Sequence, residues 1–121
     1  MVKALFDTNI LVDYLNAVPQ ARTELQRYAE KAISIITWME VMVGASDEVE
    51  IPTRSFLNAF DVVPLDGEIA ERTVSLRRSH HIKLPDAIIW ATAQARAMLL
   101  VTRNTKDFAS GDPGIRMPYR L

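Results

Sequence analysis

Four acids in this chain stand at the ends of apolar runs or in the first turns of helices. They lie in Leu5-Phe6-Asp7-Thr8-Asn9, Thr37-Trp38-Met39-Glu40, Leu84-Pro85-Asp86-Ala87 and Val101-Thr102-Arg103-Asn104-Thr105-Lys106-Asp107-Phe108. Carboxylates gathered in one crevice repel each other unless a cation joins them. An all-oxygen set of this kind suits a hard divalent ion, Mg²⁺ or Mn²⁺. Softer chemistry is poorly served: there is no cysteine, and the two histidines are the adjacent His80 and His81. A thiolate metal site, a disulfide and a cysteine nucleophile are therefore excluded.

Each acid also has a purely structural explanation. Asp7 could cap the helix that follows it. Thr37 and Glu40 have the spacing of a capping box. Asp86 would complement a helix dipole, worth about 0.3–1 kcal/mol, and Asp107 alone reads as a loop residue. The coincidence of all four, beside the polar Thr8, Asn9, Thr102 and Asn104, is more specific than any one of them.

The elements that would bring the acids together can be read from periodicity. Val2–Phe6, Ala32–Ile36 and Met98–Thr102 are short apolar runs that predict buried strands. Asp61–Leu65, with Pro64, predicts an edge strand, and residues 115–119 predict another. Helical spacing covers residues 9–16, a segment opening at Pro19, a segment opening at Thr37, and residues 49–60. Asp66 is a good N-cap for a helix to Ser79, with Ile69, Thr73 and Leu76 inward. The helix opening at Pro85 has few polar positions and should be central. Helices alternating with apolar strands predict an α/β fold, three layers (α/β/α) around a central, mainly parallel sheet. In such a sheet Asp7, Glu40 and Asp107 all emerge at the carboxyl edge. The Asp86 helix feeds the Met98 strand, so it runs antiparallel to it and also begins at that edge.

The bulk numbers agree with one domain over residues 1–121. The chain is 49% hydrophobic and 24% charged, with a formal net charge of −1. That is the composition of an ordinary globular protein, and any basic surface must be local. With neither a signal-like segment nor a run near the ~20 apolar residues of a membrane span, the expected compartment is the cytoplasm and no membrane partner is expected.

In order and spacing, the four segments, together with Gly44 and Ile88-Ile89 followed by Ala91-Thr92-Ala93, resemble the PIN-domain nucleases. Within them, the chain resembles the VapC-type toxins of prokaryotic toxin–antitoxin pairs, over essentially its whole length. The resemblance implies a PIN-like fold and a Mg²⁺-dependent endoribonuclease, with Mn²⁺ as a substitute ion. Asp7, Glu40 and Asp86 would be its core acids. Asp7 and Asp86 would hold the main ion, with Glu40 and Asp107 orienting waters or a second ion. Many relatives carry an acid where this chain has Asn104, so Asp107 is taken as the fourth acid and Asn104 as a neighbouring polar ligand. Thr8, Asn9 and Thr102 are supporting polar residues. Arg103 and Lys106 are the nearest candidates to bind RNA. Arg77, Arg78 and Lys83 approach the Asp86 helix, where a solvated helix end explains them equally well.

The implied partners are RNA, a cognate antitoxin and a second copy in a homodimer, with higher-order assembly on the antitoxin. Trp38, Met39, Met42, Phe56, Leu57 and Phe60 are candidates for an apolar partner face, or for plain core. Other readings stay open. A PIN nuclease could serve RNA processing or act on DNA, and an inactive PIN scaffold could only bind protein. A dehalogenase-type phosphatase needs a second Asp where Asn9 stands, and a receiver domain needs paired acids after its first strand. Both fit less well.

Overall fold

The computed structural model describes residues 2–109 and 111–121. In chain order the elements are β1 (Ala4–Phe6), α1 (Thr8–Leu15), α2 (Pro19–Gln26), β2 (Lys31–Ser34), α3 (Ile35–Gly44), α4 (Glu50–Leu57), β3 (Asp61–Val63), α5 (Gly67–Ser79), α6 (Leu84–Ala95), β4 (Leu99–Val101) and β5 (Ile115–Arg116). A 3₁₀ turn at Asp47–Val49 leads into α4. The strands form one sheet in the order β3-β2-β1-β4-β5, and every pairing is parallel.

β1 lies at the centre, paired with β2 on one side and β4 on the other. Alternate side chains therefore feed two cores. Ala4 and Phe6 join Ile10, Leu11, Leu25 and Leu57 on one face of the sheet. Leu5 and Leu100 join Ile69, Ile89, Trp90 and Phe108 on the other. The first face is covered by α1, α2 and α4, the second by the α5/α6 hairpin, which gives three layers. Among the described residues, no helix is long and apolar enough to cross a membrane.

Several local expectations hold in detail. Asp66 caps α5, its Oδ1 accepting from Ile69 N at 2.9 Å, and Ile69, Thr73 and Leu76 are the buried residues of that helix. The α3 entry differs. β2 stops at Ser34, whose Oγ accepts from Ile36 N at 3.0 Å and caps α3. Thr37 and Glu40 thus lie inside the helix and form no capping box. The segment expected as one helix over residues 49–60 is the 3₁₀ turn followed by the shorter α4.

The apolar face expected around Trp38 is largely core. Leu57 and Phe60 are buried, and Phe56, Trp38 and Met42 pack against them. Met39 is the exception at 44% exposure, and the most exposed large apolar residues nearby are Val43 and Ile51.

Candidate active site

Asp7 follows β1 directly and is both a helix cap and a buried carboxylate. Its Oδ1 accepts from Thr8 N at 2.7 Å, so the cap and the site use one side chain. Its Oδ2 accepts from the Thr102 hydroxyl at 2.6 Å and from Asn9 Nδ2 at 3.3 Å. Thr102, fully buried, also accepts from Asn104 N at 3.0 Å. The residues just after β1 and β4 are thereby locked together across the centre of the sheet.

Glu40 comes from the second turn of α3 and is fixed by Thr8, whose Oγ1 lies 2.6 Å from Glu40 Oε1 and 3.1 Å from Thr37 Oγ1. A hydroxyl carries one proton and an ionised carboxylate only accepts. Thr8 therefore donates to Glu40 and receives from Thr37. That gives the buried Thr37 a role its capping-box spacing concealed.

Asp107 is held by the turn that Asn104 builds. Asn104 Oδ1 accepts from the backbone N–H groups of Lys106 and Asp107 at 3.2 and 3.1 Å, and its Nδ2 donates to Asp107 Oδ2 at 3.0 Å. Both ends of the Asn104 amide are thus engaged in positioning Asp107. Asp86 stands in the first turn of α6.

The four acids feel one another. Burial pushes the Asp7 pKa up, the hydrogen bonds from Thr102 and Thr8 oppose that rise, and the Glu40 and Asp107 charges add to it. Asp86 is pushed up to about 6, first by burial, then by the charges of Asp7 and Asp107, a proton-sharing contact with Asp107, and Glu40. Elsewhere the chain neutralises its partly buried acids with arginine, as in Glu24–Arg116 and Asp13–Arg103. Among the described residues, none of the four site acids has such an ion pair.

No three carboxylates among the described residues are already drawn into a closed metal cage. The donor chemistry nevertheless fits a hard divalent cation: only oxygen ligands, uncompensated negative charge, and carboxylates oriented by hydroxyl and amide donors behind them. Asp7, Asp86, Glu40 and Asp107 are the residues that would hold one.

Arg103 sits differently from the expected RNA-facing rim. Its guanidinium grips Asp13 with two hydrogen bonds of 2.7 and 2.8 Å, and Tyr119 Oη donates to the same carboxylate at 2.8 Å. Its backbone N donates to Asn9 Oδ1 at 3.2 Å, so Arg103 braces the site from behind. Asp13 and Tyr119 carried no signal in the sequence, where they are 106 residues apart. Lys106 is exposed.

The PIN-domain family model matches residues 4–112. The chain is 27% identical to the tRNA(fMet)-specific endonuclease VapC of Shigella flexneri, over 89% of this chain and 91% of that protein. Among solved structures it is similar to a toxin–antitoxin complex from Klebsiella pneumoniae. The TM-score there is 0.94 and the identity 50%, covering 98% of this chain and 100% of that one. It is also similar to DNA-bound VapBC from Salmonella typhimurium, with a TM-score of 0.78, 26% identity and 96% of each chain covered. The family match spans all four acids and the threonines and asparagines that orient them, and on that ground the chain belongs to the PIN-domain family, among its VapC-type toxins.

Proposed function

We propose that this protein is the toxin of a type II toxin–antitoxin pair and a Mg²⁺-dependent endoribonuclease. The observation that carries the reading is the ring of Asp7, Glu40, Asp86 and Asp107. These acids are mutually repelling and unpaired by any arginine or lysine among the described residues. A protein gains nothing in stability from such a cluster. It makes sense as a cation-dependent centre for anionic substrate chemistry.

The chain's own residues divide the work. Asp7 and Asp86 are the main holders of the ion, and Glu40 and Asp107 complete the ring, with Asn104 setting Asp107. Thr8, Asn9 and Thr102 fix the carboxylate orientations. When bound, a divalent cation supplies charge neutralisation at the phosphodiester and acidifies water. Without a cation the Asp86 pKa is pushed up to about 6, so taking up the ion means giving up that proton.

The substrate class is RNA, with tRNA the first candidate because a relative is named for that activity. The antitoxin is the expected partner, since similar chains are solved as toxin–antitoxin complexes. A groove of about 430 Å³ beside Glu40, lined by Val12, Leu15, Val41, Val49 and Pro52, offers it an apolar seat next to the acids. A homodimer and a cytoplasmic location complete the proposal. Light scattering at micromolar concentration tests the dimer.

The deciding experiment is cleavage of tRNA and single-stranded RNA with Mg²⁺, Mn²⁺ or chelator, with Asp86→Asn prepared identically and free of antitoxin. Metal-dependent cutting that the variant lacks supports the proposal. A folded, metal-binding wild type that cuts nothing supports a binding-only scaffold, and equal cutting by both proteins removes Asp86 from the site.

A further inference from the structure

Seven of the fourteen lysines and arginines are ion-paired with an acid among the described residues, and of the other seven Arg22, Lys31, Lys106 and Arg120 are scattered along the sequence. Arg77, Arg78 and Lys83 have no such pair among the described residues, and all three are exposed. They lie within seven residues of sequence, on the last turn of α5 and the link to α6. Because α6 begins at the carboxyl edge of the sheet, this hairpin tip stands beside the acid ring. Lys83 is one helical turn from Asp86, about 5 Å along the axis.

Helix electrostatics accounts for only part of this. Arg77 and Arg78 at the C-terminal end of α5 complement its dipole. Lys83 does the opposite. It occupies the N-cap of α6 and makes no capping hydrogen bond, at a position where Ser, Thr, Asp or Asn stabilises and a cation meets the positive end of the dipole. Nor does it pair with Asp86, since among the described residues Lys83 makes no ion pair. A cation kept where local stability disfavours it, beside a carboxylate ring it does not pair with, points to an external anion.

The tip is also held in place. Ile82 is buried, Ile82 N donates to His80 O at 3.0 Å, and His80 N donates to Leu76 O at 2.8 Å. The His80 ring packs edge-on against Trp90 at 4.9 Å between centroids. The cations are thus presented from an anchored backbone, which lowers the ordering needed on binding.

We infer that Arg77, Arg78 and Lys83 form a phosphate-gripping surface that holds the RNA backbone flanking the scissile bond, on the α6 side of the acid ring. This rests on the RNA reading above.

The test compares wild type, the triple variant Arg77→Gln/Arg78→Gln/Lys83→Gln, and a control, Lys3→Gln/Lys31→Gln/Arg96→Gln, whose sites lie at the opposite edge of the sheet. Binding of a labelled 20-nucleotide oligouridylate and of labelled tRNA is followed in chelator from 50 to 300 mM salt. Cleavage with Mg²⁺ is scored separately, and circular dichroism checks folding. Each lost phosphate contact on single-stranded RNA should lower the slope of log affinity against log salt by ~0.7, about 2 for the triple variant, with affinity at 100 mM salt down by about tenfold or more. The control should keep the wild-type slope.

A triple variant with unchanged slope and affinity overturns the assignment while leaving the nuclease reading intact if wild type still cuts. Slope loss confined to the triple variant, in a wild type that cuts nothing, supports the surface and sinks the nuclease reading. Wild type that neither binds nor cuts overturns both. Unchanged RNA binding with weakened antitoxin binding overturns RNA in favour of a protein ligand.

Discussion

At the scale of a single residue, Asp86 sets stability against function. Its pKa in the folded protein is pushed up from 3.8 to about 6. The fold therefore prefers the protonated side chain. The favourable contribution is complete below about pH 4, fades as the pH rises through 6, and leaves the ionised form a liability at neutral pH. Asparagine keeps the shape and drops the charge. Without metal, Asp86→Asn should be more stable than wild type at pH 7.5 by about 1–2 kcal/mol, once solvent screening of a part-exposed group is allowed for. At pH 3.5 the difference should nearly vanish. Thermal melts in chelator at the two pH values measure it. A variant less stable than wild type at pH 7.5 would mean that Asp86 makes contacts of its own that outweigh the repulsion. The stabilised variant should also be the inactive one, as expected where a site is built against stability.

At the scale of elements, the loop after β4 depends on two segments far from it in sequence. Asp13 of α1 and Tyr119 of the C-terminal segment both converge on this strap, centred on Arg103. Burial tends to raise the Asp13 pKa, but the Arg103 and Tyr119 hydrogen bonds outweigh it and hold the carboxyl below its usual range. A lowered pKa stabilises above the ordinary carboxylate range and loses that stabilisation as pH falls. Arg103→Gln should thus cost about 1–3 kcal/mol at pH 7, less at pH 3, because it leaves a buried carboxylate without its guanidinium. Urea melts at both pH values decide it, and a pH-independent loss would mean that packing, not charge, is what Arg103 supplies. The strap also marks where sequence reading stops. Asp66 as a cap, the Ile69-Thr73-Leu76 face and the α6 start at Leu84-Pro85 were legible because their cues lie within a turn or two of each other. The α3 entry was not, since Ser34 and Thr37 are both plausible caps, and the choice is made by pairing of β2 through Ser34 with β3 and by Thr37 facing Thr8. Arg103 read as a rim cation because its partner lies 90 residues away. The four acids could be read as a set because parallel topology alone brings strand ends to one edge.

At the scale of the whole molecule, the strand order β3-β2-β1-β4-β5 makes β1 and β4 the pair at which the chain reverses its direction of travel across the sheet. Helices cover opposite faces on either side of that reversal, so a crevice opens at the carboxyl ends of β1 and β4. Asp7 and Thr102 are the residues that stand there, 2.6 Å apart. α3 brings Glu40 from one face and α6 brings Asp86 from the other. A cation seated in this crevice would join both helical layers to the sheet, so its binding should register as stability of the entire fold. Ligand linkage gives about 2.7 kcal/mol at a free ion concentration 100 times Kd, roughly 10 °C in melting temperature for a domain of this size. Wild type titrated with Mg²⁺ or Mn²⁺ at pH 7.5 should show that rise, reversed by chelator. At pH 5, where the raised pKa keeps Asp86 largely protonated, the ion must displace a proton to bind and the rise should shrink. Asp86→Asn should shrink it at both pH values, whereas Arg103→Gln, which lacks only the strap, should start lower and climb in parallel with wild type. A wild-type melting temperature indifferent to either ion would break the connection between the acid ring and a cation. The repulsion stored among Asp7, Glu40, Asp86 and Asp107 would then need another explanation.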